Sequence, residues 1–184
     1  MNRNSIPLLM LLAIFTTAPL TRAEDPFTLS TQGTWSAQTY ASSAFAADET
    51  LLSANVGVGY YVLNQLSLNL EAAAYGVFQD GPDAVAGDIR FGLRHHVLVR
   101  DRWSLFIDVS EGFFEASERV PEGGTRFNFI FRAGPGIAYQ LHDDTYFIAG
   151  VHYWHLSNAK MEGNARNPSL NGAEAFVGLM WTFK

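Results

Sequence analysis

The chain has 184 residues, with 12 Lys and Arg against 18 Asp and Glu, a formal charge of −6 at pH 7, and no cysteine. An acidic chain offers no broad nucleic-acid-binding surface, no disulfide can staple it, and its length suits one domain. Apolar residues make up 48% of it, yet no later run reaches the roughly 20 apolar residues of a spanning helix, so entry into a membrane would be by strands.

The chain starts with a basic residue, Arg3, then an apolar run from Ile6 to Phe15, then small and polar residues ending in Thr21-Arg22-Ala23. That order predicts a secretory signal peptide over residues 1–23 and a mature domain over 24–184. Removal takes away Arg3 and Arg22 and no acid, leaving 10 basic and 18 acidic residues, a charge of −8.

From there the dominant signal is alternation. Leu52, Ala54, Val56, Val58, Tyr60 and Val62 oppose Ser53, Asn55, Gly57, Gly59 and Tyr61; Ile89, Phe91, Leu93, His95, Val97 and Val99 oppose Asp88, Arg90, Gly92, Arg94 and His96. Trp103, Leu105, Ile107 and Val109 repeat the pattern, as do Phe127, Phe129, Phe131, Ala133, Pro135, Ile137 and Tyr139. A period of two sustained this long predicts strands, about 27–37, 51–63, 65–77, 87–99, 102–115, 125–140, 144–156 and 173–183. Eight antiparallel strands can close into a barrel just filled by its own side chains.

One face is nearly all aliphatic and aromatic. The other carries Gly, Asn and Ser with Glu71, Asp88, Asp108, Arg90, Arg94, Arg126 and Arg132, charges of both signs that could pair in a narrow interior. A soluble barrel would be apolar inside and rich in Lys and Glu outside, so this pattern predicts an all-β, eight-stranded antiparallel transmembrane β-barrel of the outer membrane. Connections near 64, 100–101 and 141–144 are short, while 38–50, 78–86, 116–124 and 157–172 are long. Such alternation matches periplasmic turns facing external loops.

Near its outer end the seventh strand reads Phe147, Ala149, Val151 and Tyr153 on the lipid-facing parity, and continuing that parity puts His155 and Ser157 on the same face. Two residues apart on a strand, an imidazole and a hydroxyl lie side by side, close enough for proton transfer. At the level of the lipid headgroups they could meet a lipid ester. His95, His96 and His152 read as structural, and no His, Asp and Glu grouping has metal-ligand spacing, so no metal or cofactor is expected.

The segment His155-Leu156-Ser157-Asn158-Ala159, followed by Asn167-Pro168-Ser169-Leu170-Asn171-Gly172 and a last amphipathic strand, resembles the lipid A 3-O-deacylase family of eight-stranded outer-membrane barrels. The resemblance implies a serine esterase that hydrolyses the 3-hydroxyacyl ester at position 3 of lipid A. His155 would be the general base, Ser157 the nucleophile, Glu174 the acid that orients the histidine and Asn158 an oxyanion donor. Lys160 and Ser169 depart from the family's small residues in this loop. If regular pairing begins before Glu174, its side chain points inward, and Glu162 is the alternative acid. Lys160 and Arg166 are the candidates for lipid A phosphate contact. Expected partners are lipopolysaccharide and outer-membrane lipids, with no nucleic acid and with a homodimer left open. The competing readings are a non-enzymatic structural or ligand-binding barrel and an acyltransferase that adds a chain to lipid A.

Overall fold

The structure is a computed structural model that describes residues 31–46 and 48–184. The expected signal peptide and the first residues of the expected first strand lie outside the described residues. Among the described residues eight strands form: β1 (Trp35–Ala46), β2 (Glu49–Leu63), β3 (Leu66–Phe78), β4 (Ala84–Arg100), β5 (Trp103–Val120), β6 (Thr125–His142), β7 (Thr145–Ser157) and β8 (Leu170–Phe183). Each pairs antiparallel with the next, and β1 pairs with β8 from Trp35↔Phe183 to Phe45↔Ala173, so the sheet closes. Closure leaves no row of unpaired backbone groups for hydrocarbon to meet.

Three expectations need correction. β1 runs from residue 35 to 46 and β2 starts at Glu49, so most of the expected long connection 38–50 is strand. Its outward Ala37, Thr39, Ala41 and Ser43 differ little in polarity from its inward Ser36, Gln38 and Ser42, so alternation gives almost no contrast there. The connection expected at 116–124 shrinks to 121–124, because β5 runs on past Glu115 and, after an irregularity in the register, pairs once more with β6 at Val120↔Thr125. β8 begins at Leu170, three residues early, paired with Leu156. The turns at 64–65, 101–102 and 143–144 are tight at one end; at the other, the β7–β8 connection, residues 158–169, is by far the longest and holds a single 3-10 turn, Asn164–Arg166.

Inside, the side chains stack in three layers. The outermost is apolar, built on Leu51, Tyr75, Phe114, Ile130, Trp154 and Leu156. The innermost is again apolar and aromatic, with Tyr61, Phe106, Tyr146, Ile148, Phe176 and Met180. A bulge between His96 and Leu98 turns Val99 toward this layer, although the parity of β4 had placed it outside.

Between them lie Arg90, Arg94 and Arg132 with Glu71, Asp88, Asp108 and Glu174. Arg90 contacts Asp88 and reaches Glu71 at 3.0 Å. Arg94 grips Asp108 with two bonds of 2.8 Å, and Arg132 meets Glu174 at 3.2 Å. A charge taken out of water is costly unless paired and hydrogen-bonded; each guanidinium here has a carboxylate partner, while Arg90 Nε, Asp88 Oδ1 and Arg132 Nε and Nη1 have no hydrogen-bond partner among the described residues. Arg126 does not join them. It has inward parity but stands above the belt at the wet rim, 3.5 Å from Glu118.

His152 lies among these charges, 3.2 Å from Glu174 and 3.7 Å from Asp108. Its ring stacks on Phe176 with centroids 4.7 Å apart. Gly150 makes room for that phenyl ring, since a Cβ there would stand 2.7 Å from it and 2.5 Å from the Pro135 carbonyl.

Candidate functional site

The outer end of β7 alternates strictly: Trp154 and Leu156 are buried inside, while Tyr153, His155 and Ser157 face out. His155 Nε2 stands 3.0 Å from Ser157 Oγ. Its Nδ1 stands 2.8 Å from Asn171 Oδ1. Asn171 is directly opposite His155 in the β7–β8 register and shares the outward parity of Ala173, Ala175 and Val177. The Tyr153 hydroxyl donates to the same Asn171 oxygen at 2.5 Å. With Oδ1 accepting from Tyr153, the histidine donates its Nδ1 hydrogen to that oxygen, and the Nε2 lone pair is left for the serine hydroxyl.

The sequence reading therefore finds two members of this set and misplaces the third. Glu174 is not beside His155. Because β8 is already paired at Leu170, Glu174 falls on the inward parity opposite His152, 1% exposed, and accepts from Ser42 and pairs with Arg132. The alternative acid, Glu162, is committed to Arg166 at 2.7 Å in the loop. Asn171 was read as part of the loop, yet running the parity of Ala175, Val177 and Leu179 back by two steps would have put it on the outer wall.

Asn158 is also not positioned as expected. Its side chain is 2% exposed. Both amide hydrogens are used, one on Thr125 Oγ1 at 3.1 Å and one on the Arg166 carbonyl at 2.6 Å. Its Oδ1 accepts from the Lys160 backbone N–H at 2.9 Å, and its own N–H goes to Asn167 Oδ1 at 2.9 Å. This is an Asx-turn, and it stabilises the left-handed backbone of Ala159 (φ 52) and Lys160 (φ 65), which L-residues adopt only at a cost. Asn158 thus builds the loop behind the serine, and no free donor remains on it for an oxyanion.

Of the two cations expected to meet phosphate, Arg166 is tied to Glu162 and Lys160 is exposed on the loop. His96, buried, is satisfied by Tyr61 at 2.9 Å and Ser104 at 2.7 Å. Among the described residues no group of three or more His, Cys, Asp and Glu could hold a metal ion.

Beside the His155 ring a groove of about 380 Å³ runs across the outer wall, lined by Phe91, Glu111, Phe113, Phe129 and Phe131. Glu111 was missed in the sequence. The signal was there: after Trp103, Leu105, Ile107 and Val109, it is the first acid on the outward parity of β5.

A closed barrel with an apolar outer wall, a charged and filled interior and a polar pair set into the wall at one end defines a small outer-membrane barrel. The chain belongs to the outer membrane protein β-barrel domain family, whose model matches residues 8–183. No curated protein sequence matches it. Solved structures share the fold at low identity. The N-terminal β-barrel domain of Pseudomonas aeruginosa OprF is 12% identical over 83% of this chain and 98% of that one, with a TM-score of 0.56. Neisserial surface protein A is 14% identical over 82% and 96%, with a TM-score of 0.57. The outer membrane enzyme PagL is 16% identical over 80% and 99%, with a TM-score of 0.52.

Proposed function

We propose that the protein is a serine ester hydrolase that works from the lipid-facing wall of the barrel, with Ser157 as nucleophile, His155 as general base and Asn171 as the residue that orients the histidine. The observation that carries this reading is the unbroken line from Ser157 Oγ to His155 Nε2 and from Nδ1 to Asn171 Oδ1, at 3.0 and 2.8 Å. A polar line of this kind facing lipid is costly unless it has a task. The filled interior supports the same reading, since it leaves the wall and the loops as the surfaces where chemistry can occur.

His155 takes the serine proton as Oγ attacks the ester carbonyl carbon, and the imidazolium returns that proton to the leaving alcohol as the tetrahedral intermediate collapses. Water then attacks the acyl-serine with His155 again as base, which frees the fatty acid. An amide in the third position is a known variation of this arrangement, as in Cys-His-Asn proteases.

The finer reading is lipid A as substrate, cleaved at the 3-hydroxyacyl ester of position 3. It rests on the likeness of His155-Leu156-Ser157-Asn158-Ala159 and Asn167-Pro168 to the deacylase family. Lys160, exposed on the loop that follows Ser157, is the cation this reading assigns to a lipid A phosphate.

Mass spectrometry of lipid A from cells producing the native chain or Ser157→Ala tests both levels. Loss of one hydroxyacyl mass with the native chain and none with the variant is the expected result. A gain of one acyl mass would identify a transferase. Unchanged lipid A with folded protein in the outer membrane would leave a non-enzymatic barrel.

A further inference from the structure

Phe91, Glu111, Phe131 and His155 form one row across the outer wall, each the register partner of the next across β4, β5, β6 and β7. Glu111 is exposed on the lipid side between two phenylalanines, and no described side chain bonds or pairs with its carboxylate. On β5 it interrupts an outward apolar face that runs from Trp103 to Phe113, which puts it inside the outer part of the belt, a short step below the headgroups. An ionisable group facing lipid without a partner marks a functional site, and nothing in the ester chemistry above uses this one.

The groove's chemistry identifies its occupant. One carboxylate among the rings of Phe91, Phe113, Phe129 and Phe131 is the composition that binds an ammonium ion, which the acid attracts by charge and aromatic faces attract through their quadrupole. The groove opens sideways into the membrane, so the ammonium must arrive on a lipid. Glu111 and Ser157 are two strands and two residues apart in the register, about 12 Å at the usual strand dimensions, comparable with the reach from ester to ammonium within one extended glycerophospholipid.

We propose that the groove beside His155 binds the primary ammonium of an ethanolamine phospholipid, with Glu111 as its counter-charge. This site goes beyond the ester hydrolase reading: the spacing to Ser157 rests on that reading, while the groove and its charge stand without it.

Native mass spectrometry of the full-length protein in non-ionic detergent tests the proposal. The probes are phosphatidylethanolamine, its N-acetyl derivative and phosphatidylglycerol with identical acyl chains. The native protein should retain phosphatidylethanolamine about fivefold or more over the other two, the scale of one partly desolvated ammonium contact. Glu111→Gln should erase the preference, Glu111→Asp should keep part of it and Ser157→Ala should keep it all. Equal retention of the three lipids by the native protein would overturn the proposal, even were the variants to fold poorly. So would a preference that survives in Glu111→Gln. Dimer masses lost in Glu111→Gln without any lipid preference would assign the groove to a second copy of the chain and overturn it as well.

Discussion

An amide at position 171 accepts the same hydrogen bond from His155 as a carboxylate would, but it brings no charge to stabilise the imidazolium formed during the reaction. Hydrogen bonds to charged groups exceed neutral ones by about 1 kcal/mol. Asn171→Asp should therefore raise the rate of ester hydrolysis by about fivefold, and Asn171→Leu, which frees the ring to turn and change tautomer, should lower it by about 10²-fold or more. Initial rates on a micellar ester decide this, and an Asn171→Leu enzyme with native rates would remove Asn171 from the mechanism. His155 and Ser157 were readable from the sequence because β7 alternates cleanly up to them. Asn171 was not, because Asn-Gly looks like a turn and conceals the early start of β8.

Among the elements, clarity in the sequence followed contrast between the faces. β2, β4 and β6 set bulky apolar residues against Gly, Asn and Arg, and their expected spans agree closely with those found. β1 sets Ala and Thr against Ser and Gln, and it was displaced by eight residues at its start. The outer hairpins were underestimated for a related reason: beyond the belt both faces meet water, so pairing persists while the apolar signal disappears. The 158–169 connection depends instead on one side chain. Asn158→Ala removes hydrogen bonds to Thr125, Arg166 and Lys160, each worth about 1 kcal/mol. Opening of the loop should become at least about tenfold more frequent, and trypsin should cut after Lys160 and Arg166 correspondingly faster. Unchanged cleavage would mean that backbone pairing alone holds the loop.

Taken whole, the barrel is filled from end to end, and this separates it from a pore. Two apolar layers bracket the ionic one, so a hydrated ion would meet a dry barrier on either side of the charges. Reconstituted in a planar bilayer, the protein should show no steady single-channel conductance, and stepwise openings at modest voltage would contradict the layered interior. The ionic layer also ties together strands far apart in the chain. Ser42 on β1 and Arg132 on β6 both depend on Glu174 of β8, and Arg90 of β4 reaches Glu71 on β3 and Asn55 on β2. A sheet that entered the bilayer before β8 met β1 would present these guanidinium and carboxylate groups to hydrocarbon, each without its counterpart. Assembly in the membrane should consequently be all-or-none, with the last strand acting as the clasp and no half-inserted sheet able to persist as a resting state.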